Sequence, residues 1–131
     1  MDNINIKRIN VDVKQLFTYW LTFLKPYHNL RQKEIEALSV FLYYRHRLSE
    51  EVLNKSLIDK LLFSPDVRKS IMLDLNIKST YVFNNLLTAL RNKGVISRDN
   101  KITEVLVPNF LPGSDNFKLV FNFEVNDSKQ N

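Results

Sequence analysis

The chain contains no cysteine, two glycines, two alanines, four prolines and no long uncharged apolar run. Without cysteine there is neither a disulfide framework nor a zinc–thiolate centre, and the composition suits a reducing compartment. Gly94 and Gly113 stand too far apart to form a phosphate-cradling loop, and no Gly-x-Ser-x-Gly elbow occurs. No segment reaches the roughly 18 apolar residues of a membrane span. The opening MDNINIKRIN lacks the apolar core of a signal peptide. His28, in the loop after Pro26, and His46, at a helix end, have neither an i, i+4 histidine nor the His-x-x-Glu spacing that builds a metal site on one helix. Adjacent Glu50 and Glu51 suit the first turn of a helix better than paired acid–base chemistry. The expectation is therefore a non-enzyme without cofactor, metal, small-molecule substrate or membrane, residing in a bacterial or infected-cell cytoplasm.

What is present is enough for one folded domain: 131 residues, 44% hydrophobic and 25% charged. Asn (15), Lys (12) and Ile (9) are abundant where Ala and Gly are scarce. Codons for the first three are A·T-rich and those for the last two G·C-rich, so the bias points to an A·T-rich genome. Net charge is +5, unevenly spread: +3 over residues 1–64, +4 over 65–101 and −2 over 102–131. A basic middle followed by an acidic end is the footprint expected for an anionic partner.

Periodicity then divides the chain. Residues 3–7 alternate weakly and read as a short strand or arm. Val13, Leu16, Phe17, Trp20, Leu21 and Leu24 form one helical stripe, with Asp12 as N-cap and Pro26 as terminator. A second helix is expected over 31–47, opened by Asn29 with Gln32. Its centre is apolar on more than one face, which suits the hub of a fold. Ser49 is expected to start a third helix over 50–62, with Leu53, Leu57 and Leu61 facing inward beside Ile58 and Leu62.

Ser64-Pro65 reads as an N-cap with proline at the first helical position, opening a short helix over 65–75 marked by Val67, Ile71 and Leu75. Asn76-Ile77-Lys78 interrupts it. Ser79 caps a helix over 80–93 carrying Phe83, Leu86, Leu87 and Leu90, stopped by Gly94. Residues 95–97 and 102–107 around Arg98-Asp99-Asn100 read as a β-hairpin. Phe117, Leu119, Phe121, Phe123 and Val125 alternate as one face of a further strand over 117–125. The expected core is Leu16, Trp20, Leu24, Ile35, Leu38, Leu42, Leu61, Ile71, Leu75, Phe83, Leu87, Leu90, Ile96 and Phe121.

The order of short helix, three-residue turn, capped helix, stop glycine and hairpin resembles the winged helix-turn-helix family over roughly Leu30 to Val107. The Leu-x-x-Lys-Glu-Ile-Glu-Ala-Leu character of Leu30 to Leu38 looks like the helix that precedes such motifs. Small winged-helix proteins of tailed bacteriophages are similar, and the A·T-rich bias agrees. The resemblance implies an α+β domain of about five helices with a small antiparallel sheet, comprising the wing and the C-terminal strand. Residues 1–29 would be an arm and helix, 30–107 the core, and 108–131 a loop, strand and tail.

The resemblance also implies a non-enzymatic double-stranded DNA-binding protein, a regulator of transcription or replication, phage-encoded and acting as a homo-oligomer or within a larger assembly. The contacting residues would be Lys78, Ser79, Thr80, Tyr81, Asn84, Asn85, Thr88 and Arg91 on the second helix, with Arg98 and Lys101 at the wing. Two features depart from that pattern: the middle of this face carries no charge, and Asp99 stands at the wing tip. A structural or assembly protein, such as a virion component using the fold for protein contacts, is the rival reading. For that rival, Asn84, Asn85 and Thr88 are the ordinary solvated face of an amphipathic helix.

Overall fold

In a computed structural model, which describes residues 10–108, 124 and 125, the apolar stripes become six helices. These are α1 (Val13–Phe23), α2 (Lys25–His28), α3 (Gln32–Glu51), α4 (Lys55–Leu62), α5 (Pro65–Asp74) and α6 (Thr80–Asn92), followed by a 3-10 turn, Glu104–Leu106. The Asp12 carboxylate accepts the Gln15 N–H at 2.8 Å while Gln15 Oε1 accepts the Asp12 N–H at 3.3 Å, so two unpaired donors at the start of α1 are satisfied reciprocally. Pro26 does not terminate α1 as expected. It lies in the first turn of α2, where a missing N–H costs nothing.

His28, expected in a loop, ends α2 and is buried. Its Nδ1 accepts the Leu30 N–H at 2.9 Å, which leaves Nε2 to carry the proton and donate to the Leu21 carbonyl at 2.6 Å. A neutral imidazole thereby closes the corner between α1 and α3. Asn29 adopts φ 52° and ends α2, and Glu34, not Gln32, satisfies the Arg31 N–H, at 2.7 Å. The helix then runs four residues further than expected, to Glu51. Ser49, Glu50 and Glu51 complete α3, because the next cap is Asn54, whose side chain accepts the Ser56 N–H at 2.9 Å. Leu53 falls between the helices at 98% exposure, and α4 buries only Ile58 and Leu62.

The broad apolar surface of α3 makes it the hub, packed against α1, α4, α5 and α6. Phe17, Leu21, Ile35, Leu38, Phe41, Leu42, Leu62, Ile71, Phe83, Leu87 and Leu90 are all buried at this centre. Each such side chain contributes about 1.5–3 kcal/mol before chain entropy is subtracted. Leu16, Trp20, Leu24, Leu61 and Leu75 are only half-buried, and Phe121 lies outside the described residues.

The expected antiparallel sheet is not formed: the described residues are helical, and the hairpin shrinks to one bridge, Ile96 with Ile102. Ser97 N–H donates to the Lys101 carbonyl at 2.8 Å and Thr103 N–H to the Val95 carbonyl at 3.0 Å, after which pairing stops. Burial explains the stop. The 3-10 turn carries Leu106 into the core at 3% exposure, and the Leu106 carbonyl accepts the Trp20 indole N–H at 2.8 Å. The alternating pattern over 102–107 is thus spent on a turn that plugs the base of α1. Over the described residues the α+β expectation is corrected to an all-helical architecture. The arm at 3–7 and most of the strand expected over 117–125 lie outside the described residues. Its last two positions are not in a strand, and Val125 is exposed.

Candidate nucleic-acid interface

The helix pair α5–α6 forms where the caps place it. Ser64 Oγ accepts the Val67 N–H at 3.5 Å, opening α5. At its end Asn76 takes φ 57°, with Asn76 N–H donating to the Leu73 carbonyl (3.0 Å) and Ile77 N–H to the Met72 carbonyl (2.8 Å). This paired bonding is the Schellman termination, which needs a left-handed residue. It reverses the chain and seats Ile77, half-buried, against the core. Ser79 then accepts the Val82 N–H at 3.3 Å and starts α6. The same termination recurs at Gly94 (φ 77°), with Val95 N–H reaching the Leu90 carbonyl at 3.2 Å.

A column of rings fixes the rotation of α6 about its axis. Phe83 stacks on Phe41 of α3 at 6.1 Å between centroids, Phe41 on Phe63 at 5.3 Å, and the Arg68 guanidinium lies 5.8 Å from the Phe83 ring. With Phe83, Leu87 and Leu90 buried, Thr80, Tyr81, Val82, Asn84, Asn85 and Thr88 point to solvent. Lys78 and Ser79 are exposed at the entrance of the helix. The structure therefore gathers these eight residues on one ridge.

Two of the outward polar groups are already engaged. Arg68 Nη2 of α5 donates to Asn84 Oδ1 at 3.1 Å, and Thr88 Oγ1 donates to the Asn84 carbonyl at 2.9 Å. Arg91 is drawn off the ridge: it is half-buried, with Nη2 donating to Asn100 Oδ1 at 2.6 Å. Lys93, counted in the basic middle, turns to α3 and donates to Glu34 Oε1 at 2.7 Å and to the Asn29 carbonyl at 3.2 Å. Burial pushes the Glu34 carboxyl up, but the Lys93 hydrogen bond, the Arg31 N–H and the Lys93 and Arg31 charges together hold it below its ordinary range.

At the turn after α6, Ser97 Oγ donates to Asp99 at 2.7 Å, and Lys101 Nζ lies 3.8 Å from the same carboxylate. The Ser97 hydroxyl, the residue's own backbone N–H and the Lys101 charge lower the Asp99 carboxyl from its ordinary value. Asp99 and Lys101 offset one another, which leaves Arg98 exposed at the tip. Lys69, Lys78 and Arg98 have no ion-pair partner among the described residues.

Sequence reasoning counted Arg68 and Lys69 in the basic middle but did not assign them to the ridge, and it overlooked Val82. Val82 was legible: it sits about 100° from Phe83 on the helical wheel and so faces outward. The Arg68–Asn84 bond joins separate helices and leaves no local pattern.

Among the described residues no group of His, Asp and Glu could hold a metal ion, and no helix is long and apolar enough to cross a membrane. The cavity of about 390 Å³ between α1, α3 and α5 is lined by Lys14, Glu36 and Asp74 among others, with Lys14 Nζ lying 3.9 Å from Asp74 and 5.1 Å from the Tyr43 ring centroid. No protein-family model, curated protein or solved structure matches the chain.

Proposed function

We propose that the chain is a non-enzymatic double-stranded DNA-binding protein, a regulator of phage type acting in the cytoplasm, which lays α6 in the major groove. The observation that carries the reading is the ridge. A helix rotated by its aromatic column presents polar side chains outward, and unpaired Lys78 and Lys69 stand on the same helix pair. A protruding helix of this width fits the major groove, and the first N–H groups of α6 favour a phosphate. Arg98 supplies a backbone contact from the turn.

Lys69, Lys78 and Arg98 together predict a salt dependence of about −2.7 in log K against log salt. Between 50 and 200 mM salt a single chain would lose about 40-fold in affinity, and a dimer about the square of that. So shallow a slope makes a lone chain a weak binder and favours a homo-oligomer or a larger assembly.

Anisotropy titration of a labelled 20-base-pair duplex at two salt concentrations tests this. Lys78→Ala should reduce the slope by about one unit. Absence of binding at low salt, or a slope untouched by Lys78→Ala, would overturn it. One observation favours the rival reading as an assembly or virion component: Leu73, Tyr81 and Val82 are 74%, 66% and 53% exposed around the same helix pair. A protein partner seated there would leave binding to every duplex absent, and light scattering would show a stable high-order oligomer.

A further inference from the structure

We infer that Asp99 is an affinity-determining residue: fixed at the tip of the turn after α6, it withholds Lys101 from the DNA backbone, so that the turn offers a phosphate one cation, Arg98, instead of two. The inference rests on the DNA-binding reading above and deepens it by naming a residue that sets how tightly the backbone is held. Arg98, Asp99 and Lys101 are all exposed on the turn. Lys101 Nζ lies 3.8 Å from Asp99 Oδ2, with the two side chains 58% and 71% exposed. So exposed an ion pair is worth little by itself, and a phosphate would readily draw the lysine away. The outcome then depends on where the carboxylate goes once Lys101 has left.

It stays in place. Ser97 Oγ donates to Asp99 Oδ1 at 2.7 Å, and the same Ser97 oxygen accepts the Lys101 N–H at 3.1 Å. Ser97 N–H donates to the Lys101 carbonyl at 2.8 Å, which closes the turn around the carboxylate. Nor can the turn as a whole pivot freely, because Arg91 Nη2 of α6 donates to Asn100 Oδ1 at 2.6 Å. A phosphate that takes Lys101 therefore meets a fixed negative charge within the same turn. Like-charge repulsion offsets what the new contact contributes.

The experiment uses the full chain and the labelled duplex of the titration above. Asp99→Asn keeps an acceptor oxygen for the Ser97 hydroxyl and removes the charge. It should steepen the salt slope from about −2.7 to about −3.6, the increment of one further phosphate contact. With that contact worth nothing at about 1 M salt, affinity should rise about fifteenfold at 50 mM and about fourfold at 200 mM. Asp99→Asn combined with Lys101→Ala should return the slope to about −2.7, since the added contact belongs to Lys101. Circular dichroism melting shows whether each variant is folded. A constant inactive fraction shifts log K without changing its slope, so the slope decides the matter.

An unchanged slope in Asp99→Asn, with the wild type still binding through Lys78, would overturn this inference and leave the DNA-binding reading standing. A steeper slope that persists without Lys101 would also overturn it, since the carboxylate would then repel the duplex at large and not withhold that lysine. Failure of both the wild type and Asp99→Asn to bind any duplex would remove both readings.

Discussion

Lys93→Met deletes the cation that clamps the end of α6 to the start of α3. In the folded chain Glu34 is 6% exposed and accepts two hydrogen bonds, from Arg31 N–H and Lys93 Nζ, both at 2.7 Å. Removing one partner of a buried pair costs about 3–5 kcal/mol, because the other charge is left desolvated. The Lys93 side chain is 30% exposed, so water reaches the pair from one side and about 2–3 kcal/mol is expected. At roughly 4 °C per kcal/mol for a chain of this size, the melting midpoint should fall by about 8–12 °C at pH 7.

The pH dependence carries a definite sign. The Glu34 carboxyl is lowered in the folded state, so its contribution is present above the ordinary value of 4.5 and is lost as pH falls through the lower folded value. The gap between wild type and variant should therefore close toward pH 3. Thermal melts followed by circular dichroism at pH 7 and pH 3 measure both effects. A midpoint within 2 °C of wild type at pH 7, or a gap that does not narrow in acid, would refute the reasoning. The variant also separates charge counting from geometry: once folded, it should show an unchanged salt slope on DNA, since Lys93 faces α3 and not the ridge.

Three further expectations concern local devices. Gly94→Ala should destabilise by about 1–2 kcal/mol in urea titration; a Cβ there meets nothing within 4 Å, so the cost is that of φ 77° alone. Tyr44 O–H donates to Asp74 at 2.8 Å, and burial together with that carboxylate pushes the phenol up to about 12. Absorbance titration should thus find a tyrosine ionising near 12, and Asp74→Asn should move it toward 10. Asn76→Gly should preserve or raise the melting midpoint by a few degrees, since the position needs a left-handed residue and glycine takes that conformation without strain.

Legibility followed the range of the forces. The boundaries of α5 and α6 were readable because Ser64-Pro65, Ser79 and Gly94 act within one turn of the backbone. The rotation of α6 was readable from Phe83, Leu87 and Leu90, although Val82 was left out of the outward face and Arg91, half-buried against Asn100, was put on it. Helix ends without strong local signals were misplaced: Leu53 was expected to face inward, yet Asn54 took the cap and left it in water. The hairpin failed for a different reason. Residues 102–107 alternate as a strand would, but Leu106 is wanted in the core beneath Trp20, and one buried leucine with one indole hydrogen bond outweighs the few ladder bonds of an edge hairpin.

Electrostatics divides in the same way. Composition alone determined that the middle of the chain is basic and that α6 itself is uncharged between its cap and Leu90. Which of those cations faces solvent was decided by tertiary packing. Lys93 turns to Glu34, Arg91 to Asn100 and Arg68 to Asn84, while Lys69, Lys78 and Arg98 stay free. A sequence carries charge as a property of each residue, but pairing depends on which helices are brought together. Caps and periodicity act over a few residues and can be read along the chain; partners 16 or 59 positions apart meet only once the core around α3 has closed.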